Sequence, residues 1–410
     1  MIDRRSLLLA VGGTAALGSS GLLSRAARAQ QPPLTPDLPA GVYDTAVLEA
    51  LPGKQPLIKL SYRPPNYETP VDYFDSLFTP NDAFFVRYHL ANVPKKPDAQ
   101  SWKIKIGGEA VTSPFELSIA DLKSGFEPVE IAAVCQCSGN RRGLSNPHVP
   151  GVQWGLGAMG NALWKGARLK DVLAKAGLRK EAVELVLNGA DGPVLDKTPD
   201  FVKSIPVWKA LDENTLIAYE MNGEPLPHLN GFPVRLIVPG WTATYWMKHL
   251  ASLEAVTKPF DGFWVKTAYR IPTGKFPVTQ HFLTQMTDTS EPITEIVVNS
   301  VITAPAPGHK ARSGEPVEVR GVAWDAGYGI RRVEISLDDG RNWCEAELEK
   351  DHGRFSFRRW TFRFTAGAPG SVSVMARASN GIGQTQADSL IFNPAGYHNN
   401  VMRRLAIIVV

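Results

Sequence analysis

The chain has 410 residues, a length that suits two or three domains of ~150 residues each. Hydrophobic residues make up 44% of it and charged residues 20%, an ordinary globular balance that excludes a wholly disordered chain and a multispanning membrane protein. The formal charge of +4 drops to +1 without residues 1–29, which hold four arginines and one aspartate. We therefore predict no nucleic-acid partner.

The N-terminus has the pattern of a secretory signal peptide. Arg4 and Arg5 precede a weakly apolar stretch that ends near Leu23, and the small-residue sequence Ala27-Arg-Ala29 follows it. This pattern predicts cleavage after Ala29, and the paired arginines indicate the twin-arginine export route. The alternative is an uncleaved membrane anchor, although glycines dilute the apolar run. We expect a periplasmic protein with no membrane span in the mature chain.

After residues 1–29, the chain divides by composition into an arm and a mixed domain. Residues 30–78 are rich in proline and predict an extended N-terminal arm. Residues 79–288 mix helix and strand signals without a regular βαβ series. Ser118-Ile-Ala-Asp121 predicts a capping box at the start of a short helix, and residues 164–176 predict a second helix. The fold class predicted for this part is therefore α+β.

Residues 289–410 have a different character. Short strand-like segments, such as 317–324 and 371–378, are separated by turn signals such as Asp338-Asp-Gly340, and no helical pattern intervenes. Short strands at regular spacing are typical of a β-sandwich of immunoglobulin-like size.

The strongest chemical signal is the segment Cys137-Ser-Gly-Asn-Arg-Arg142. Two arginines near a thiol favour the thiolate, the form that binds metal or attacks carbon, and they also attract an anion. From the residues alone, a buried structural cysteine and a cysteine-protease nucleophile are the alternatives. The chain has no zinc-type ligand spacing, no Cys-x-x-Cys-His haem motif and no Gly-x-Gly-x-x-Gly after a strand. Cys344 is expected to be a buried core thiol, and the role of Cys135 stays open.

Several further segments occur in a specific order and spacing: Phe84-Phe-Val-Arg87-Tyr-His89-Leu, Trp164-Lys-Gly-Ala-Arg-Leu169, Leu216-Ile-Ala-Tyr-Glu-Met-Asn-Gly-Glu-Pro-Leu226, Gly231-Phe-Pro-Val-Arg235 and Val238-Pro-Gly240. Together with the segment that begins at Cys137, they make the chain resemble the sulfite oxidase family of molybdenum enzymes from about Thr79 to the C-terminus. The resemblance implies a mixed α+β molybdopterin-binding domain followed by an immunoglobulin-like dimerisation domain.

The resemblance also implies the roles of individual residues. Cys137 corresponds to the thiolate ligand of molybdenum, a soft ligand suited to a metal that the pterin already binds through sulfur. The residues implied to surround the oxyanion are Arg87, Arg142, Arg358, Trp154 and Tyr269, with Arg359 as a rival to Arg358. The residues implied to bind the pterin and its phosphate are Phe85, Arg87, His89, Asp191, Asn230, Arg235, Trp246, Met247 and Lys248. Asn230 stands where animal enzymes have histidine, and Tyr88 where they have asparagine.

The function implied is oxidation of sulfite to sulfate at a molybdenum–molybdopterin centre. We expect no haem in this chain, since the Pro-rich arm cannot be the haem domain that animal enzymes carry. Electrons would then leave one at a time to a c-type cytochrome, either a separate acceptor or a subunit. The alternatives are a reductase of the same fold, acting on sulfoxides or nitrate, and a binding protein that uses its sandwich domain. The assembly could be a homodimer or a heterodimer.

Overall fold

The computed structural model describes residues 47–273 and 289–410. The predicted signal peptide, the beginning of the Pro-rich arm and the predicted domain boundary at residue 288 lie outside the described residues. Every residue with a predicted site role lies within them. No helix in these two ranges is long and apolar enough to cross a membrane.

Residues 47–273 form short strands joined by loops and a few short helices. The strands are β1 (Leu48–Ala50), β2 (Pro56–Ser61), β3 (Asn66–Glu68), β4 (Val86–Arg87), β5 (Lys103–Gly107), β6 (Phe115–Ser118), β7 (Pro128–Gln136), β8 (Met159–Arg168), β9 (Glu184–Gly189), β10 (Lys203–Pro206), β11 (Leu216–Met221), β12 (Glu224–Pro225), β13 (Arg235–Ile237), β14 (Leu250–Val256) and β15 (Arg270–Pro272). The helices are α1 (Ile119–Gly125), α2 (Leu169–Lys175), α3 (Val207–Ala210) and α4 (Phe263–Lys266). Single 3₁₀ turns lie at Val71–Asp75, Arg142–Leu144, His228–Asn230 and Ala243–Tyr245.

These strands build three main sheets. The first has the order β1-β2-β3-β4, and the second has the order β10-β9-β14-β5-β6, in which only β14 and β5 run parallel. The third has the order β12-β11-β8-β7, and β13 also pairs with β11. A large buried apolar cluster fills this part of the chain and includes Trp154, Trp164 and Trp246. The predicted α+β class is confirmed, with short helices and a predominance of strand.

Helix α1 begins where the capping box predicted it. The Ser118 hydroxyl accepts a hydrogen bond from the Asp121 amide at 3.0 Å and donates one to the Asp121 carboxylate at 2.6 Å. The first helical amides have no partner within the helix, so a side-chain acceptor at this position stabilises the start.

The second predicted helix is wrong in its first five residues. Residues 164–168 continue strand β8, and only Leu169–Lys175 is helical. β8 is hydrogen-bonded between β7 and β11, and the Trp164 indole donates to Ala133 O at 3.0 Å. Pairing on both edges determines strand here, because tertiary hydrogen bonds outweigh a weak local helical pattern.

Residues 289–410 form the predicted β-sandwich. After β16 (Ser290–Pro292), which pairs with β15, its strands are β17 (Asn299–Ala304), β18 (Lys310–Ala311), β19 (Pro316–Trp324), β20 (Ile330–Ser336), β21 (Cys344–Glu345), β22 (Glu347–Leu348), β23 (Arg358–Thr365), β24 (Gly370–Asn380) and β25 (Arg404–Val409). One sheet has the order β17-β19-β23-β22 and the other β18-β25-β24-β20-β21. Val319, Ile335, Trp360 and Ile407 are buried in the core of the sandwich.

The prediction for Cys344 is wrong. The thiol is exposed rather than buried. It lies on β21, a two-residue strand at the edge of its sheet that pairs only with β20. All three cysteines of the chain are free thiols.

The sandwich packs directly against the α+β part. Phe74, in the 3₁₀ turn after β3, meets Phe357 edge to face with ring centroids 5.9 Å apart. The Arg320 guanidinium binds the Asp75 carboxylate through two hydrogen bonds of 3.0 and 2.9 Å. Apolar packing and a two-pronged ion pair thus join the two parts.

Asp75→Asn is expected to lower the free energy of unfolding by about 1 kcal/mol at neutral pH and low salt, because both partners are partly exposed. Hydrogen bonds from Arg320 hold the pKa of Asp75 below its ordinary value. The stabilisation is therefore present above the unfolded-state pKa of ~4 and is lost as the pH falls through the folded-state value. Urea unfolding of both proteins at pH 7 and pH 3 measures the effect. A difference that stays equal at both pH values would contradict the assignment.

Candidate active site

A cleft lies where β7 and β9 end and β13 begins. It is lined by many residues that the sequence pointed to: Phe85, Arg87, His89, Cys137, Asp191, Asn230, Arg235, Trp246, Met247, Lys248 and Tyr269. Segments almost 200 residues apart in sequence therefore meet at one cavity.

Cys137 follows β7 directly, and a tight turn holds it at the cavity. Its amide donates to Ala158 O at 2.9 Å, and its carbonyl accepts from the Asn140 amide at 3.0 Å. The Asn140 side chain in turn accepts from the Ala158 amide at 3.1 Å. The turn is thus bonded to the segment that leads into β8, and the backbone carrying the thiol is fixed on both sides. Within residues 47–273 and 289–410, no group of three or more His, Cys, Asp or Glu side chains is placed to hold a metal ion.

Cys135 also lines the cavity, so the structure offers two thiols there. Arg235 Nη2 lies 3.8 Å from Cys135 Sγ. Burial nevertheless raises the pKa of the Cys135 thiol, which keeps it protonated at neutral pH. The family resemblance implies Cys137, rather than Cys135, as the metal ligand.

Arg87 is held at the cavity from β4. Its Nη1 donates to Asn66 Oδ1 at 3.1 Å and to the carbonyl of Tyr88. Lys248 Nζ donates to the Arg87 carbonyl at 2.7 Å. Arg87 Nε is buried and has no hydrogen-bond partner among the described residues. An anion in the cavity could therefore receive a hydrogen bond from this guanidinium.

His89 and Tyr269 form a pair beside Arg87. The His89 Nε2 contacts the Tyr269 hydroxyl, and the imidazole stacks on Phe201 with centroids 3.6 Å apart. Burial, followed by the charge of Arg87, holds the pKa of His89 well below its ordinary value. The ring is therefore neutral at physiological pH and orients the Tyr269 hydroxyl without adding charge. Tyr269 has a φ of 60°, a conformation that its neighbours must stabilise.

A further group of the lining residues is suited to a pterin and its phosphate. Burial lowers the pKa of Lys248 to about 8, so the amine remains mostly charged at pH 7. Burial raises the pKa of Asp191, against the nearby charge of Lys248. The Arg235 guanidinium is buried and donates to Asn230 O at 2.9 Å and to Trp246 O at 3.2 Å.

Unpartnered polar atoms indicate that this cavity is built for a polar ligand. Ser138 Oγ, Thr244 Oγ1 and Arg235 Nε are buried, belong to residues that line the cleft, and have no hydrogen-bond partner in the described part of the chain. A buried polar group without a hydrogen-bond partner costs ~1–3 kcal/mol, so a ligand that hydrogen-bonds to these atoms is bound more tightly. A molybdenum–molybdopterin group fits this set: Arg235 and Lys248 would hold its phosphate, Asp191 its pterin nitrogens, and Cys137 its metal.

One residue that supports the cavity, Lys54, was not indicated by any sequence pattern. Lys54 is buried, and its amine donates to Asn81 O at 2.7 Å, to Phe84 O at 3.0 Å and to the Asn230 side chain. The Asn230 amide nitrogen then donates to Phe85 O at 2.9 Å. The two contacts orient the Asn230 amide from behind the cavity wall. A single lysine in a Pro-rich segment carries no sequence signal for this position.

Arg142 and Trp154 are buried close to the cavity without lining it. The Arg142 guanidinium donates from Nε to Ala395 O at 2.7 Å and from Nη1 to Val152 O at 3.1 Å. Its charge lowers the pKa of Tyr269, against the larger raising effect of burial. Trp154 lies in the apolar core, and its backbone carbonyl accepts from the Gly143 amide at 2.9 Å.

Arg358 does not line the cleft, although the resemblance implies a place for it around the oxyanion. It lies on β23 of the sandwich, 3.5 Å from the Asp351 carboxylate. Its rival Arg359 is 3.1 Å from Glu349. The strand register places both arginines within the sandwich sheet, where Arg358 and Arg359 pair with Ala323 and Val322 of β19.

Lys203 is a further buried cation near Tyr269. Its amine donates to the Trp264 carbonyl and lies 5.1 Å from the centre of the Tyr269 ring and 4.7 Å from that of Tyr245. Burial lowers its pKa to about 7. The folded protein therefore loses the proton of this amine above a pH of about 7, whereas the unfolded chain keeps it up to a pH of ~10.4.

Lys203→Met is expected to remove a pH dependence of stability. Between pH 7 and ~10 the unfolded wild type binds one more proton at this site than the folded protein, so the wild-type free energy of unfolding rises with pH. The variant should lose this rise, roughly a few kcal/mol across the window. Denaturant unfolding from pH 6 to pH 10 measures it, with the exposed Lys180→Met as matched control. A constant gap between wild type and Lys203→Met over this range would contradict it.

Comparison with known proteins shows which family the chain is similar to. Residues 89–264 match the family described as "Oxidoreductase molybdopterin binding domain", and residues 290–410 match "Mo-co oxidoreductase dimerisation domain". Mitochondrial sulfite oxidase of Rattus norvegicus is 33% identical over 375 residues, which cover 88% of this chain and 67% of that protein. Sulfite oxidase of Arabidopsis thaliana is 29% identical, covering 87% and 95% of the two chains.

Two further proteins are similar to this chain, one in sequence and one in fold. A nitrate reductase of Hordeum vulgare is 29% identical, covering 89% of this chain and 43% of that protein. The crystal structure of the sulfane dehydrogenase SoxCD from Paracoccus pantotrophus superposes with a TM-score of 0.73 at 23% identity, covering 97% and 94% of the two chains. At this identity the structural match concerns the fold.

Proposed function

Because the chain belongs to the sulfite oxidase family of molybdenum oxidoreductases, we propose that it oxidises sulfite to sulfate. The observation that carries the proposal is the meeting of Cys137, Arg87, His89 and Tyr269 at one cavity beside cationic groups for a phosphate. The reaction adds one oxygen from water to sulfite and releases two electrons and two protons.

The molybdenum–molybdopterin group, when bound at Cys137, supplies the two-electron redox chemistry and oxygen-atom transfer. The side chains supply binding and orientation. Arg87 donates to the sulfite oxyanion through its free Nε. Arg142 does not line the cavity, but its positive charge acts on Tyr269 and adds to the attraction for an anion. The Tyr269 hydroxyl, held by neutral His89, donates a hydrogen bond to a substrate oxygen. Holding the anion in one orientation lowers the barrier without any covalent step by the protein.

Electron transfer and location form the finer part of the proposal. We propose that a c-type cytochrome accepts the electrons one at a time, in the periplasm, after twin-arginine export and cleavage behind Ala29. Residues 290–410 match a dimerisation domain, which supports a homodimer over a cytochrome-bound heterodimer. Subcellular fractionation of the native host, the mass of the mature N-terminus and light scattering of the purified protein test these points.

Turnover is the direct test. Purified protein with measured molybdenum content is assayed for sulfite-dependent reduction of ferricyanide and of a c-type cytochrome. We expect both, and no activity with sulfite in protein from a molybdenum-free culture. The reductase alternative predicts a different result. A molybdenum-loaded sample would then not oxidise sulfite, but would oxidise a reduced viologen dye when nitrate or a sulfoxide is added.

A further inference from the structure

The segment 393–401 of the sandwich lies against the loop that carries Cys137. Arg142 Nε donates to Ala395 O at 2.7 Å, and the Asn399 amide donates to Arg141 O at 3.1 Å. Arg141 also donates to the carbonyl of Val401 and to the side chain of Asn299. The sandwich is thus bonded to the loop next to the predicted metal ligand.

Within this segment, Tyr397 is held in one place by its neighbours. The Asn393 side chain accepts from the Tyr397 amide at 3.0 Å and donates to the Tyr397 carbonyl at 2.7 Å. Gly396 has a φ of 60°, and a Cβ there would lie 2.6 Å from a Val149 methyl and 2.9 Å from Arg142 Cγ. Only glycine fits such a close approach, so the backbone brings Tyr397 tightly against Arg142.

The ring of Tyr397 contacts two residues with predicted roles in substrate binding. It stacks on the Tyr269 ring with centroids 5.7 Å apart and planes 13° apart. The Arg142 guanidinium carbon lies 5.3 Å from its centroid. Tyr397 itself is buried and does not line the cleft.

Both neighbours need support of this kind. Tyr269 has a positive φ, a backbone conformation that is unfavourable for tyrosine unless packing imposes it. Arg142 donates to two carbonyls, and the Tyr397 ring lies beside its guanidinium, where the ring stabilises the positive charge. One aromatic side chain from the sandwich meets both requirements.

We infer that Tyr397 is a positioning residue, which holds Arg142 and Tyr269 in the arrangement that binds a doubly charged oxyanion. The inference rests on the proposed function, because the oxyanion is sulfite or its product. It makes the sandwich domain part of the active site in the same chain. The effect should appear in anion affinity, since Tyr397 contacts Tyr269, which lines the cavity, and Arg142, whose charge lies close to it.

The test compares holoenzymes of equal molybdenum content. Tyr397→Leu removes the ring and is expected to raise the KM for sulfite and the inhibition constant of sulfate about 5- to 30-fold, while kcat changes by less than about threefold. Tyr397→Phe keeps the ring and should restore affinity to within about twofold of wild type. Tyr397→Met, which fills similar space without a ring, carries the same expectation as the leucine variant if that variant does not fold.

The matched control is Phe357→Leu. Phe357 also joins the two parts of the chain through an aromatic contact, with Phe74, but its ring contacts are with residues that have no predicted site role. This variant should lower Tm and leave KM unchanged. Equal KM shifts in Phe357→Leu and Tyr397→Leu would assign a merely structural role to Tyr397 and overturn the inference.

The remaining outcomes separate this inference from the proposed function. Wild-type turnover of sulfite with a Tyr397→Leu variant of unchanged KM and sulfate inhibition would overturn the inference alone. A wild-type holoenzyme that neither oxidises sulfite nor binds sulfate, as measured by calorimetry, would overturn both.

Discussion

Cys137→Ser is expected to abolish sulfite-dependent turnover, with kcat reduced by roughly 10³-fold or more. Cys137 offers the soft sulfur ligand at the cavity, and a serine hydroxyl is a hard, protonated oxygen at neutral pH that binds such a metal poorly. The measurement is ferricyanide reduction per molybdenum, together with the visible absorption of the oxidised centre, which should change because thiolate-to-metal charge transfer is lost.

Two other cysteines make this prediction specific. Cys344→Ser alters an exposed thiol on the sandwich and should leave turnover and the absorption spectrum at wild-type values. Cys135→Ser alters the second thiol of the cavity, where burial keeps the sulfur protonated, and should retain the absorption spectrum. If Cys135→Ser loses the spectrum and Cys137→Ser keeps it, the ligand assignment is reversed.

Arg87→Gln is expected to lower kcat/KM for sulfite by about 10²-fold, mainly through a higher KM. Removing one partner of a buried, hydrogen-bonded charge pair costs ~2–5 kcal/mol, because the remaining charge is left unpaired. Glutamine keeps a neutral hydrogen-bonding amide but offers no positive charge to the oxyanion. Steady-state kinetics at equal molybdenum content measure the effect.

The control for Arg87→Gln is Arg63→Gln, which removes the same charge from an exposed position near the first sheet. That variant should keep the wild-type KM at physiological ionic strength, since exposed charges are screened. Arg87→Gln with unchanged KM and unchanged sulfate inhibition would remove Arg87 from the substrate site.

Local sequence patterns predicted much of the fold because they record which side chains can be buried. Alternating apolar residues and regular turn signals in residues 317–378 predicted the sandwich strands, and Ser118 and Asp121 predicted the start of α1. Residues 164–168 were predicted as helix and are strand, since hydrogen bonding to β7 and β11 lies outside any local window. Cys344 was predicted to be buried because hydrophobicity does not reveal that a short edge strand leaves one face uncovered.

For the candidate site, the residue types and their order follow from the sequence, and the family resemblance indicated Cys137 and a set of residues that line one cavity. Their functional roles are predictions. The side chains that support that cavity are visible only in the folded chain: Lys54 contacts Asn230, and Tyr397 contacts Arg142 and Tyr269.

The physical reason is the distance in sequence over which these contacts form. Lys54 and Asn230 are 176 residues apart, and their hydrogen bond depends on how two sheets pack rather than on any local pattern. Arg358 lies on β23, paired with Ala323 of β19, and does not line the cleft, which its residue type alone does not predict. Motifs predict which residues do the chemistry. Strand register and packing determine which other side chains lie close enough to contact those residues.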